Sequence, residues 1–132
     1  MLISQGIDIV SVKRIAELHK KYKFRFLKKI FSKSELETFD FTKKNISILK
    51  FSNRFAAKEA ASKALGKGFS KGIRFVDIQV FNNVDGKPFL RFKGNAYDLF
   101  KSFEKNGKKV KSDISISNEK DFAVAIVSIS LT

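Results

Sequence analysis

Glu59 and Lys63 stand one helical turn apart in the stretch FSNRFAAKEAASKALGKG, residues 51 to 68, and a second acid, Asp8, interrupts the apolar opening run LISQGIDIV. At about 100° per residue, Phe51, Phe55, Glu59 and Ser62 line one helix face, with Lys63 at its margin. As an exposed i,i+4 pair, Glu59 and Lys63 would contribute only about 0.3–0.5 kcal/mol. As part of a site, they would hold a charged ligand. Asp8 bears on that choice. Ile3, Ile7 and Ile9 alternate with Gly6, Asp8 and Val10 in a strand pattern, so Asp8 points away from the isoleucines. Aspartate is a poor strand former, and a buried one needs a partner, either one of the many lysines or a cation. Gly6, on the same face, leaves room for a close approach to the backbone.

The composition narrows the cation. The chain has no Cys and one His, so a metal would be held by oxygen or by His19. Two carboxylates suit Mg²⁺, which takes one or two such groups and completes its octahedron with water and substrate phosphate. His19 falls on the apolar side of its helix and reads as a core or boundary residue.

The elements that must position these residues follow from periodicity and caps. Residues 2–10 read as a strand, and Ser11 as the N-cap of a helix through VKRIAELHKKY, with Val12, Ile15, Ala16 and His19 on one face. FRFLKKIF predicts a further turn or two of helix. Two overlapping capping boxes, SKSE and SELE, predict a short helix over Glu35 to Phe41; TKKNISILK fits a loop or a helix start. The central helix is expected from about Ser52 to Leu65, stopped by Gly66, with Ala57, Ala60 and Ala64 forming a smooth second face. IRFVDIQVFNN and KPFLRF read as a hairpin turning at Asp85-Gly86. GNAYDLFKSFEKNG reads as a helix with Ala96, Leu99, Phe100 and Phe103 on one side, stopped by Gly107. SDISIS and FAVAIVSISL read as two final strands. The fold expected is α+β (α/β), a mainly antiparallel sheet packed on a long central helix, and its 132 residues form a single domain, 1–132.

Fifteen Phe and 43% hydrophobic residues supply a core, and no stretch approaches the ~18 apolar residues of a membrane helix. A soluble, cytoplasmic protein is expected. The net charge of +14 would attract a polyanion: nucleic acid, a phosphorylated cofactor or an acidic protein. Lys-rich composition without any partner is the plain alternative. From Lys13 to Lys33 there are nine Lys or Arg against one acid, Glu17, which reads either as a solvated helix face or as a docking surface for an acidic partner.

GIDIVSVKRI and RFAAKEAASKALGKG resemble the two signatures of the holo-acyl-carrier-protein synthases, the small bacterial-type 4'-phosphopantetheinyl transferases. FSKSELETF, DIQVFNNVDGKPFL and SDISISNEKDFAVAIV resemble further parts of that family in the same order, so the resemblance spans essentially the whole chain. It implies transfer of the phosphopantetheine arm of coenzyme A to a serine of apo acyl carrier protein in fatty acid biosynthesis, releasing adenosine 3',5'-bisphosphate. It further implies Mg²⁺ held by Asp8 and Glu59, with Lys63 near the pyrophosphate to neutralise charge or move a proton. Arg54 would contact CoA phosphate and Pro88 would form part of the adenine-side wall. Arg14, Arg25 and Lys29 would meet the acidic helix of the carrier, and the assembly would be a homotrimer with sites at subunit boundaries. One departure stands out: many relatives carry His where this chain has Asp113, which either tunes the site or is only the first residue of a strand. A water held by Glu59 could then take the serine proton. The alternative of another class is a basic nucleic-acid-binding module, which would need Phe75, Phe81, Phe89 or Phe92 exposed beside basic residues. The family resemblance favours no nucleic acid partner and no membrane.

Overall fold

A ten-residue strand and a long helix set the frame. The computed structural model describes residues 1–66, 68–69 and 72–132, the side chains of 44–47 excepted. Strand β1 (Leu2–Ser11) runs antiparallel to β5 (Phe122–Leu131), which on its other side pairs antiparallel with β4 (Val110–Asn118), giving the order β1-β5-β4. Helix α4 (Lys44–Leu65) lies across one face of this sheet. Along β5 the residues facing it, Ala123, Ala125, Val127 and Ile129, are buried, as the two-residue strand period requires.

The helix approaches the sheet so closely because both surfaces are bare. Ala57, Ala60 and Ala64 are fully buried, and Gly6 sits opposite them. A Cβ at Gly6 would lie 2.0 Å from the Ala60 carbonyl oxygen and 2.6 Å from the Ala64 nitrogen. The Ser4 hydroxyl donates to the Ala64 carbonyl at 2.6 Å, tying strand to helix beside that contact. The opposite sheet face is outward. It carries Ile7 at 59% exposure, Ile9 at 64%, Phe122 at 50% and Ile126 at 39%. Ile7 and Ile9 are therefore on the surface side and Gly6, Asp8 and Val10 on the helix side, while Ile3, beside an irregularity in the pairing between Leu2 and Ser4, packs partly against the core.

Helix α1 (Val12–Tyr22) starts at Ser11, whose Oγ accepts from the Arg14 amide at 3.2 Å. Lys23, at φ 50°, turns the chain into α2 (Phe24–Ile30). The next helix, α3, covers Lys33–Leu36 rather than Glu35 to Phe41. Only the first capping box forms: Ser32 Oγ accepts from the Glu35 amide and Glu35 Oε1 from the Ser32 amide. The chain then turns Phe39 into the aromatic cluster with Phe31 and Phe51. Helix α4 begins at Lys44, eight residues before the expected start at Ser52, and Lys43 provides no side-chain cap to announce it. It ends as expected at Gly66, which is left-handed at φ 87°.

After a 3₁₀ turn (Phe75–Asp77), β2 (Ile78–Asn82) and β3 (Pro88–Phe92) form a separate two-stranded hairpin around Asp85-Gly86. Helix α5 (Gly94–Lys101) stops well before Gly107. The Ser102 hydroxyl turns back to the Leu99 carbonyl, and the chain makes a tight bridge between Lys105 and Lys108 instead, leaving Phe103 off the helix. The α+β expectation stands. The antiparallel sheet is the β1-β5-β4 unit, with the hairpin set apart from it.

Candidate active site

Asp8 and Lys63 meet across the strand–helix contact. The Lys63 ammonium donates to Asp8 Oδ1 at 3.1 Å and to the Ile7 carbonyl at 2.9 Å. This pairing takes Lys63 away from Glu59, its neighbour one turn earlier. Among the described residues, the half-buried Glu59 carboxylate makes no side-chain hydrogen bond or ion pair. Burial and then the nearby Asp8 carboxylate push the Glu59 pKa up, while Lys63 and Arg14 pull it down. The two acids are thus close enough to repel, and one lysine must serve both.

The two carboxylates offer hard oxygens, the donor set a small divalent cation takes. Among the described residues there is no cluster of three or more His, Cys, Asp or Glu. The pair Asp8 and Glu59 fits Mg²⁺, which needs only one or two protein carboxylates. His19 is no part of it; its ring packs against Phe51, centroids 5.5 Å apart.

Glu59 also forms part of the wall of a groove of about 620 Å³ between α1, α2 and α4. Arg14, Arg25 and Lys29 all line it, so the structure brings together every residue expected to dock a carrier. Its apolar walls include Leu18, Phe26 and Phe55, and Phe75 stacks between Phe55 and Phe69. Of these, helical spacing had already put Phe55 on the Glu59 face. Phe75 was read as part of a strand; its place in the groove depends on a tertiary contact with no local signal.

Arg54 and Pro88 lie elsewhere, in a smaller cleft of about 360 Å³ lined also by Lys50, Asn53, Asn82, Gly86, Lys87 and Ser115. Arg54 is 4% exposed and its Nη1 donates to the Val80 carbonyl at 2.5 Å, with the guanidinium over the Phe39 ring. It is therefore anchored as well as cleft-lining. Burial lowers its pKa, with the Glu35 charge opposing. Asp113 is exposed on β4, in register with Ser128, and lines neither cavity.

The sequence model of the 4'-phosphopantetheinyl transferase superfamily matches residues 4–127. The chain belongs to this superfamily. A "Holo-[acyl-carrier-protein] synthase" of Carboxydothermus hydrogenoformans is 47% identical over 125 residues, covering 95% of each chain. One of Ehrlichia chaffeensis is 41% identical over 128 residues, covering 96% of this chain and 95% of its own. Among solved structures, the holo-[acyl-carrier-protein] synthase of Neisseria meningitidis superposes with a TM-score of 0.81 at 34% identity, covering 98% of this chain and 99% of that one. The Helicobacter pylori enzyme in complex with coenzyme A gives 0.76 at 34% identity, covering 96% and 99%.

The family match also displaces the nucleic-acid alternative. Of the four rings it named, Phe92 is buried and Phe75 is held in its stack, while Phe81, beside Arg91, and the exposed Phe89 form a pair of rings on the hairpin.

Proposed function

We propose that this chain, acting as one domain over 1–132, transfers the 4'-phosphopantetheine arm of coenzyme A to a serine of apo acyl carrier protein, releasing adenosine 3',5'-bisphosphate, in fatty acid biosynthesis. The observation that carries this reading is the convergence of Asp8, Glu59 and Lys63 at one edge of a groove that also holds Arg14, Arg25 and Lys29.

The reaction forms a bond from the carrier serine Oγ to the phosphorus bearing the pantetheine arm and breaks that phosphorus's bond to the pyrophosphate bridge oxygen. Such a transfer asks the protein chiefly for positioning and charge stabilisation. A divalent cation held by Asp8 and Glu59, Mg²⁺ in this reading, supplies neutralisation of the pyrophosphate. Lys63, tied to β1 through Asp8 and the Ile7 carbonyl, is held where its remaining N–H can face an incoming phosphate oxygen. The serine proton passes through a water held by Glu59, whose carboxylate is placed to accept it. Arg54, with Lys50 and Lys87 nearby, gives the hairpin cleft the charge to take CoA phosphates, and Pro88 an apolar wall for the adenine.

Arg14, Arg25 and Lys29 dock the acidic carrier, mainly by raising the association rate. The outward face with Ile7, Ile9, Phe122 and Ile126 is an apolar surface suited to a second copy, which supports the homotrimer reading with sites completed at subunit boundaries. Asp113 lies on β4 of that sheet, so its role would be exercised toward a neighbouring subunit. No helix among the described residues is long and apolar enough to cross a membrane, and a cytoplasmic location is proposed on the family's substrates.

Incubating the protein with CoA, Mg²⁺ and apo carrier, then weighing the carrier by mass spectrometry, tests the reading. A phosphopantetheine mass gain is expected; an unmodified carrier overturns it.

A further inference from the structure

Among the described residues, strand β2 pairs with β3 along one edge only. Its other edge is closed by side chains. Lys58 Nζ donates to the Ile78 carbonyl at 2.7 Å, Glu35 Oε2 accepts from the Val80 amide at 3.1 Å, and Arg54 Nη1 donates to the Val80 carbonyl. Lys58 also donates to Glu35 Oε1 at 2.7 Å and to the Phe75 carbonyl at 2.9 Å. Both Glu35 and Lys58 have no exposed side-chain surface. Three polar positions along the edge of a strand are thus held by charged groups from α3 and α4, as a neighbouring strand would hold them.

We infer that Glu35 and Lys58 are positioning residues for the hairpin cleft, fixing the β2–β3 hairpin against α4. The inference rests on the reading above that this cleft takes coenzyme A. One wall of the cleft is hairpin: Asn82, Gly86, Lys87 and Pro88. The other includes Lys50, Asn53 and Arg54 of α4. The bonds at Ile78 and Val80 are the charge-assisted links between those walls, and in a water-free setting they are stiff. Stability alone gives little reason for them, because well-packed apolar residues replacing a buried ion pair are often as stable or more so. Apolar residues would fill the volume but leave the Val80 amide and Ile78 carbonyl unheld.

The test is steady-state kinetics of the full-length protein with CoA and apo carrier. Glu35→Gln removes the charge from the Val80 bond, and the KM for CoA should rise about tenfold while kcat and the carrier KM stay within about twofold. The double variant Glu35→Leu with Lys58→Met removes both buried charges. It should regain part of the melting temperature that Lys58→Met alone loses, short by what the unheld Val80 amide and Ile78 carbonyl cost, yet keep the raised CoA KM. Recovery of both together overturns the inference, as does an equal change in the carrier KM. Lys87→Ala, at a cleft-lining residue outside this row of bonds, checks the cleft itself. If it leaves the CoA KM unchanged, the cleft assignment fails and the inference falls with it. If it raises that KM and the double variant does not, the positioning role alone fails.

Discussion

The Lys63 ammonium sits 3.1 Å from Asp8, a residue 55 positions away, and leaves Glu59 one turn earlier without an ion pair among the described residues. Lys63 thereby becomes a cross-link between β1 and α4 at the point where two carboxylates face each other. The chemistry proposed here depends on that arrangement.

Replacing Glu59 by Gln should abolish transfer, with a loss of about a hundredfold or more, the scale of removing one preorganised electrostatic contact. The fold should not suffer. A carboxyl whose pKa is raised by burial and a like charge is a cost to the native state, so the melting temperature should hold or rise. A variant that keeps wild-type turnover would remove Glu59 from the site.

The same shift gives a pH dependence with a definite sign. The folded pKa of Glu59 lies above its unfolded value, so the native state binds the proton more tightly. Its contribution to stability is fully present below the unfolded pKa and is lost as pH rises through the folded pKa. Comparing wild type and Glu59→Gln by denaturant titration across the weakly acidic range should show the wild type losing stability relative to the variant as pH rises. Parallel curves would contradict this.

Gly6→Ala should be disruptive for so small a change. Its methyl would meet helix backbone, which cannot swing aside as a side chain can. The expected loss is about 1–3 kcal/mol of stability from overpacking, read by urea unfolding. Activity should fall further than stability, because displacing β1 moves Asp8 away from Glu59.

Lys58→Met should cost about 3–5 kcal/mol, since it leaves the Glu35 carboxylate buried without its counter-charge. Desolvation brings the Lys58 pKa down to about 8, opposed by the Glu35 charge and hydrogen bond. Thermal unfolding at pH 7 checks the loss.

Ile9→Glu should separate subunits without unfolding them, because the side chain is largely exposed in one protomer. Light scattering should report a smaller assembly for the variant than for the wild type, for which the proposal expects a trimer, with activity reduced in step. An unchanged mass would refute the role of this face.

Much of the frame was legible because local rules agreed with the tertiary ones. The Ser11 cap, the Gly66 stop and the two-residue period of β5 appear where residue types alone place them. Asp8, Glu59 and the groove cations were legible by face and family pattern. The missed pieces depend on contacts distant in sequence. Glu35 looked like half of a capping box, and nothing local says that its second oxygen reaches Val80, 45 residues on. Lys58 carries no local signal that sets it apart from the other lysines of the chain, yet it lies fully buried. The early start of α4 has no side-chain cap to reveal it. Nor does the isoleucine pattern say which face of β1 is outermost, because both faces are covered only if another molecule covers one.

The bare contact between Gly6 and the Ala60–Ala64 turn also divides the molecule by tempo. With helix backbone lying directly on strand backbone there, hydrogen exchange of the amides of β1 and of α4 around Glu59 should be the slowest in the chain. Helix α2, entered through the left-handed Lys23 and lacking a side-chain N-cap, should open sooner. The proposed chemistry would then rest on the part that stays shut, and the proposed docking of a protein partner on the part that can adapt.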